Sequence, residues 1–131
     1  MQHQWPIRIY YEDTDAGGIV YHANYLKYFE RARTEWLRSF GIEQDELLAA
    51  GIAFVVRSVK MDNYLPARFN ELLTVASTVP ALKRASLTFH QQLLREGGQI
   101  LCEAEVLVAC VDQNKGKATA IPSQVLGVLK G

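Results

Sequence analysis

The sequence predicts an α+β fold, an antiparallel β-sheet wrapped around one long central α-helix. Two observations carry this. Apolar residues recur at steps of three and four from Tyr25 to Phe40, the period of a helix with one broad apolar face. After Gly51 the period falls to two. It ends in a run, Gln99 to Asp112, where Ile100, Cys102, Ala104, Val106, Val108 and Cys110 make one unbroken apolar face. So long a face needs a partner, and the long helix is the only large apolar surface on offer.

The 131 residues suit one domain. A chain of this length buries roughly two-thirds of its unfolded surface, and 49% hydrophobic residues suffice for a core without staples. Lys plus Arg and Asp plus Glu are both 14. No basic stripe stands out, which gives a nucleic-acid role no support. Neither a signal-peptide core nor a run of about 18 apolar residues is present, so no membrane span and a cytoplasmic location are expected. Cys102 and Cys110 fall eight positions apart in one strand-like run, about 26 Å. That is beyond bridging range, and both are expected to be free thiols.

In chain order, Trp5 to Tyr11 alternates as a first strand. An acidic turn, Glu12 to Asp15, and the pair Gly17-Gly18 follow. The helix then runs from about Tyr25 to Phe40, with Asn24 as the expected N-cap. Gly41 suits C′, with Ile42 packing back on Leu37 as in a Schellman motif. A short helix, about Glu43 to Ala50, ends at Gly51. Strands are expected over Ala53–Tyr64, Glu71–Leu82 with Pro80 at an edge or bulge, Arg84–Arg95 and Gln99–Asp112. Glu96-Gly97-Gly98 makes a hairpin turn. A terminal helix follows Pro122.

The chemistry concentrates between Tyr10 and Arg38. A carboxylate stands a short turn from a helix N-terminus, whose first N–H groups lack intrahelical partners and carry positive partial charge. Such a terminus can hold a carbonyl oxygen becoming an oxyanion. The carboxylate can attack that carbonyl or draw a proton from water. The plainer reading is that Asp13 and Asp15 only hydrogen-bond turn amides. His3, His22 and His90 do not make a metal cluster. No serine sits in a G-x-S-x-G elbow and no phosphate-binding glycine motif occurs.

The stretch D-T-D-A-G-G-I-V-Y-H-A-N-Y, Asp13 to Tyr25, resembles the signature of hotdog-fold acyl-CoA thioesterases of the 4-hydroxybenzoyl-CoA thioesterase type. The later stretches F-E-R-A-R-T-E-W-L-R, A-F-V-V-R and E-A-E-V-L-V-A-C-V-D resemble the bacterial branch associated with the Tol-Pal system. The resemblance covers nearly the whole chain and implies a single hotdog domain hydrolysing an acyl-CoA to free acid and CoA. It puts Asp15 in the catalytic position and assigns the backbone N–H at His22 to the thioester oxygen. Tyr11 is a further candidate contact, and Asp13 is read as bracing the turn. Lys83, Arg84 and Ser86 fall where relatives hold the phosphates of coenzyme A. No metal or bound cofactor is implied. The implied partners are the acyl-CoA substrate, a second copy of the chain in a dimer or tetramer, and an acyl-carrier protein or Tol-Pal component. Two rivals stand beside this reading: a hotdog dehydratase, whose proline-rich H-F-P type signature is absent, and a non-catalytic acyl-thioester-binding scaffold partner.

Overall fold

The computed structural model describes residues 2–130. The chain runs β1 (His3–Arg8), a 3-10 turn (Tyr11–Asp13), α1 (Asn24–Ser39), α2 (Gln44–Ala49) and β2 (Ile52–Asn63). It continues through β3 (Leu72–Leu82), β4 (Ser86–Leu94), β5 (Ile100–Asp112), β6 (Lys117–Ala118) and α3 (Ser123–Lys130). The strands form one antiparallel sheet in the order β1-β3-β4-β5-β2, with the short β6 pairing the end of β5.

Alternation along the strands sorts the two faces of the sheet. Leu73 and Val75 of β3, Leu87, Phe89 and Leu93 of β4, and the even-numbered positions Cys102 to Cys110 of β5 are buried together with α1. Helix α1 contributes Tyr25, Tyr28, Phe29, Ala32, Trp36 and Leu37, the stripe its period foretells. Large side chains such as Phe29 and Trp36 each stabilise the fold by about 1.5–3 kcal/mol through burial. The long helix is not the sole cover of this face, as the sequence suggested. Helix α3 adds Val125 and Leu129, and Ile121 before it is also buried.

Local chemistry fixes the boundaries. Helix α1 ends in a Schellman motif: the Gly41 N–H donates to Arg38 O at 2.9 Å and the Ile42 N–H to Leu37 O at 3.1 Å. Gly41 sits at φ 82°, a conformation glycine adopts without strain. Pro80 falls at a register shift between Thr78 and Ala81, where no ladder N–H is required. The pairing of β3 with β1 ends at Ser77, so Pro80 stands at a bulge on the β4 side and beyond the ladder on the β1 side. Gln91, on the inner face of β4, is buried but satisfied. Its amide donates to Phe29 O and Ser77 Oγ at 2.9 Å each, and its Oε1 accepts from Arg33.

Two expected boundaries fail for one reason. The first strand stops at Arg8, not Tyr11, because the Asp13 carboxylate accepts the Tyr10 N–H at 2.8 Å and closes a 3-10 turn there. Asn24 does not cap α1 but is its first helical residue. Its amide points to Asp13 Oδ1 at 3.3 Å, and Ala23 occupies the N-cap without a side-chain bond. Cys102 and Cys110 are free and buried.

Residues 64–71, between β2 and β3, carry a second set of ties. Arg95 donates from Nε to Glu71 Oε2 at 2.7 Å, and from Nη2 to Glu71 Oε1 at 2.9 Å and Pro66 O at 3.1 Å. The Arg95 guanidinium holds the Glu71 carboxyl below its ordinary value of 4.5, helped by the Arg68 N–H and opposed by burial. A carboxyl lowered in the folded state stabilises fully above its unfolded value and loses that contribution as pH falls through the folded one. The pair is partly solvent-screened, so Glu71→Gln should cost about 1 kcal/mol or less at neutral pH, a few degrees of Tm. Thermal melts should show this difference shrinking below pH 4.5.

Candidate active site

Asp15 stands at the start of a tight hairpin. Its N–H donates to Ile19 O at 2.9 Å, its carbonyl accepts the Gly18 N–H at 3.0 Å, and Thr14 bridges Val20. The side chain is fixed as well: Oδ1 accepts the Gly17 N–H at 2.8 Å. Among the described residues no group donates to Oδ2. A Cβ at position 17 would lie 3.3 Å from Oδ1, so glycine there leaves the carboxylate uncrowded. Gly18 completes the reversal at φ 75°. The result is an exposed carboxylate, oriented at one oxygen and available at the other.

The second limb of the hairpin runs into the helix. The Asn24 N–H donates to Tyr21 O at 2.8 Å, and the Tyr25 and Leu26 N–H groups to His22 O and Ala23 O at 3.3 Å each. Among the described residues the N–H groups of His22 and Ala23 meet no protein acceptor. They stand at the positive end of α1 and can hold a developing oxyanion. The His22 ring is exposed and leans on Tyr21, centroids 4.7 Å apart. Among the described residues neither the backbone N–H of His22 nor its exposed imidazole has a hydrogen-bond partner, so both are available at this position.

Tyr11, 78% exposed, reaches over the turn and meets Phe69 edge to face at 5.7 Å. Together with Thr14, Asp15, Ala16 and Gly18 the two rings line a cleft of about 390 Å³. Phe69, 51% exposed, is a site residue that sequence reasoning missed. The signal was a large aromatic between Arg68 and Asn70 in a connection, where burial alone does not call for one.

Asp13 behaves as a brace. It is only 9% exposed and accepts from Tyr10 N–H and the Asn24 amide, while its own carbonyl accepts the Tyr21 N–H at 3.1 Å. Lys83, Arg84 and Ser86 lie elsewhere. They sit at the β3–β4 turn, where Lys83 N–H donates to Ser86 O at 2.8 Å. The Asp15 turn leaves β1 beside Leu72, the opposite end of β3, about 30 Å away along the strand. Within one chain these three residues do not meet Asp15.

Other chemistry-bearing groups are occupied. His90 Nε2 lies 2.6 Å from Glu103 Oε1 on the outer face of the sheet, with Gln92 and Tyr64 also donating to that carboxylate. Burial pushes the Cys102 thiol up to about 12 and raises that of Cys110, which leaves neither a ready thiolate nucleophile. Among the described residues no three His, Cys, Asp or Glu side chains converge as metal ligands. Among the described residues no helix is long and apolar enough to cross a membrane. A smaller cavity, about 100 Å³, opens between α1, α3 and the sheet near Arg33, Phe54 and Phe89.

The profile of the thioesterase-like superfamily matches residues 10–129. An acyl-CoA thioester hydrolase, YbgC, of Escherichia coli O6:H1 is 45% identical over 127 residues, 97% of this chain and 95% of that one. The acyl-CoA thioesterase YbgC of Haemophilus influenzae is 48% identical over 122 residues, 92% of this chain and 89% of that one. The crystal structure of a probable thioesterase from Bartonella henselae superposes with a TM-score of 0.86 at 35% identity, covering 93% of this chain and all of that one. An antiparallel sheet packed on α1, an oriented carboxylate beside a helix start and a match over nearly the full length agree: the chain is an enzyme of the thioesterase-like, hotdog-fold superfamily.

Proposed function

We propose that the chain is a single-domain acyl-CoA thioesterase, converting acyl-CoA and water to a free acid and CoA. One observation carries this reading: the hairpin that orients Asp15 through Gly17 also delivers the unpartnered amides of His22 and Ala23. Those amides polarise the thioester carbonyl. Asp15 Oδ2 then either attacks that carbon, giving a mixed anhydride that water cleaves, or takes a proton from an attacking water. In both routes the thiolate of CoA departs and is protonated afterwards. A thiol pKa near ~8.5 makes it a good leaving group, and no dedicated general acid is required. Tyr11 and Phe69 wall the cleft beside the reacting carbon.

The working enzyme is a homodimer or a tetramer built as a dimer of dimers. Strand β2 lies at a sheet edge, and Val55, Val56 and Val59 along it are exposed. Such an edge invites pairing with a second copy, and a two-fold axis is the commonest closed solution. Antiparallel pairing of two β2 strands reverses their directions. The end of one copy that carries Lys83, Arg84 and Ser86 then comes beside the Asp15 end of the other, which reconciles the distance within one chain with a phosphate-binding role. Cytoplasmic acyl-CoA is the proposed substrate, with an acyl-carrier protein or a Tol-Pal component as candidate partners. The resemblance to the 4-hydroxybenzoyl-CoA type leaves aryl as well as alkyl acyl groups for a substrate panel.

Light scattering should give a mass of at least twice 14.7 kDa. A stable monomer that still hydrolyses thioesters would remove the composite site. Asp15→Asn keeps the shape of the side chain and removes its charge. In a thiol-release assay over an acyl-CoA panel it should lower kcat by about 10²- to 10⁴-fold with a much smaller change in KM. A folded variant that keeps more than about a tenth of wild-type kcat would refute the role given to Asp15.

A further inference from the structure

Tyr25 opens the first turn of α1 and is 3% exposed, yet its hydroxyl is engaged with a loop 42 residues away. The N–H of Ala67, a fully buried residue, donates to Tyr25 Oη at 3.1 Å. The carbonyl of the same Ala67 accepts the Val20 N–H at 2.8 Å. Val20 belongs to the returning limb of the Asp15 hairpin. On either side of that link Ile19 bridges Arg68, and the Phe69 N–H donates to Gly18 O at 3.3 Å. The loop itself is held from behind by Arg95, through Pro66 O and Glu71. One continuous chain of hydrogen bonds therefore runs from the start of α1, through Ala67, to the hairpin that carries the carboxylate.

The hairpin needs such a support. Its own ladder is short: Asp15 with Ile19, Thr14 with Val20, and Tyr21 back to Asp13. Its tip at Ala16, Gly17 and Gly18 is exposed. The free amides of His22 and Ala23 lie on the helix side of this hairpin and Asp15 on the other. Their separation is set by how firmly the returning limb is held. We propose that Tyr25 is a positioning residue whose hydroxyl, acting through Ala67, fixes the Asp15 carboxylate relative to the amides at the helix start. This rests on the thioesterase reading for its catalytic consequence, though not for the structural tie.

Tyr25→Phe removes one oxygen and keeps the ring, including its edge-to-face contact with Tyr28 at 6.2 Å. It leaves the Ala67 N–H without its acceptor. Misplacement of a reacting group by about 1 Å costs up to about 10²-fold, so kcat should fall by about 10- to 100-fold, with KM shifting by no more than about threefold. The same substitution made on Asp15→Asn should lower the residual rate by less than about twofold, because the positioned group is already lost. Amide hydrogen exchange at Ala67 and Val20 should quicken in Tyr25→Phe while the rest of α1 stays protected. The proposal is overturned by a Tyr25→Phe kcat within about twofold of wild type, by equal losses in both backgrounds, or by a loss confined to KM. Unchanged exchange at Ala67 and Val20 also overturns it. If the wild-type chain released no thiol from any acyl-CoA, the functional reading would fail on that assay alone. The exchange measurement would still decide the tie.

Discussion

The site depends first on a buried carboxylate that braces it. Asp13 accepts from the Tyr10 N–H and the Asn24 amide, and its backbone carbonyl accepts from Tyr21. With these bonds it joins the end of the first strand, the 3-10 turn and the start of α1. The Tyr28 hydroxyl is buried without a hydrogen bond of good geometry, and burial, then the Asp13 charge, drive its phenol well above the ordinary range. An acidic group so enclosed holds its shape at the cost of desolvation, which its donors offset. Asp15, two residues on, is exposed, and its carboxylate is anchored at one oxygen. The two carboxylates differ in environment alone, one buried and one exposed, since the residue type is the same.

A second constraint is reach. The elements that bear the site are consecutive: a strand end, a hairpin and the first turn of a helix. That hairpin is tied to the connection between β2 and β3. Residues 64–71 close over it and pair with both the Ile9 strand extension and the Gly18–Val20 limb. The loop is thus a structural part of the site. The Arg95–Glu71 pair, which clamps it, links the stability of the loop to pH through a carboxyl that titrates below its ordinary value.

Much of this was legible in the sequence because it rests on periodicity and on residues with one dominant use. The three-four spacing of Tyr25, Phe29, Ala32 and Trp36 located α1, Gly41 and Ile42 located its end, and the alternation from Ile100 to Cys110 located β5. What escaped has a common cause: backbone groups that pair over long sequence distances leave no side-chain pattern. The bonds of Val20 to Ala67 and of Ile9 to Glu71 are of this kind, so residues 65–70 read only as a connection between two expected strands. Asn24 looked like a cap because its type favours that role, but Asp13 competes for its amide. Gln91 is a polar side chain on an apolar face, and its type gives no sign that it is buried and satisfied through Phe29, Ser77 and Arg33. Lys83, Arg84 and Ser86 are grouped with Asp15 by resemblance, and within one chain they lie at the opposite end of β3.

The functional reading turns on two free amides meeting a carbonyl oxygen beside Asp15. Amide chemical shifts of the ¹⁵N-labelled protein, followed while a non-hydrolysable thioether analogue bearing a carbonyl in the acyl chain is titrated in, test this most directly. The N–H resonances of His22 and Ala23 should move furthest downfield, together with that of Gly17, which shares the Asp15 carboxylate. Saturable binding that leaves His22 and Ala23 unmoved, with the largest shifts at another part of the chain, would contradict a site built on the start of α1.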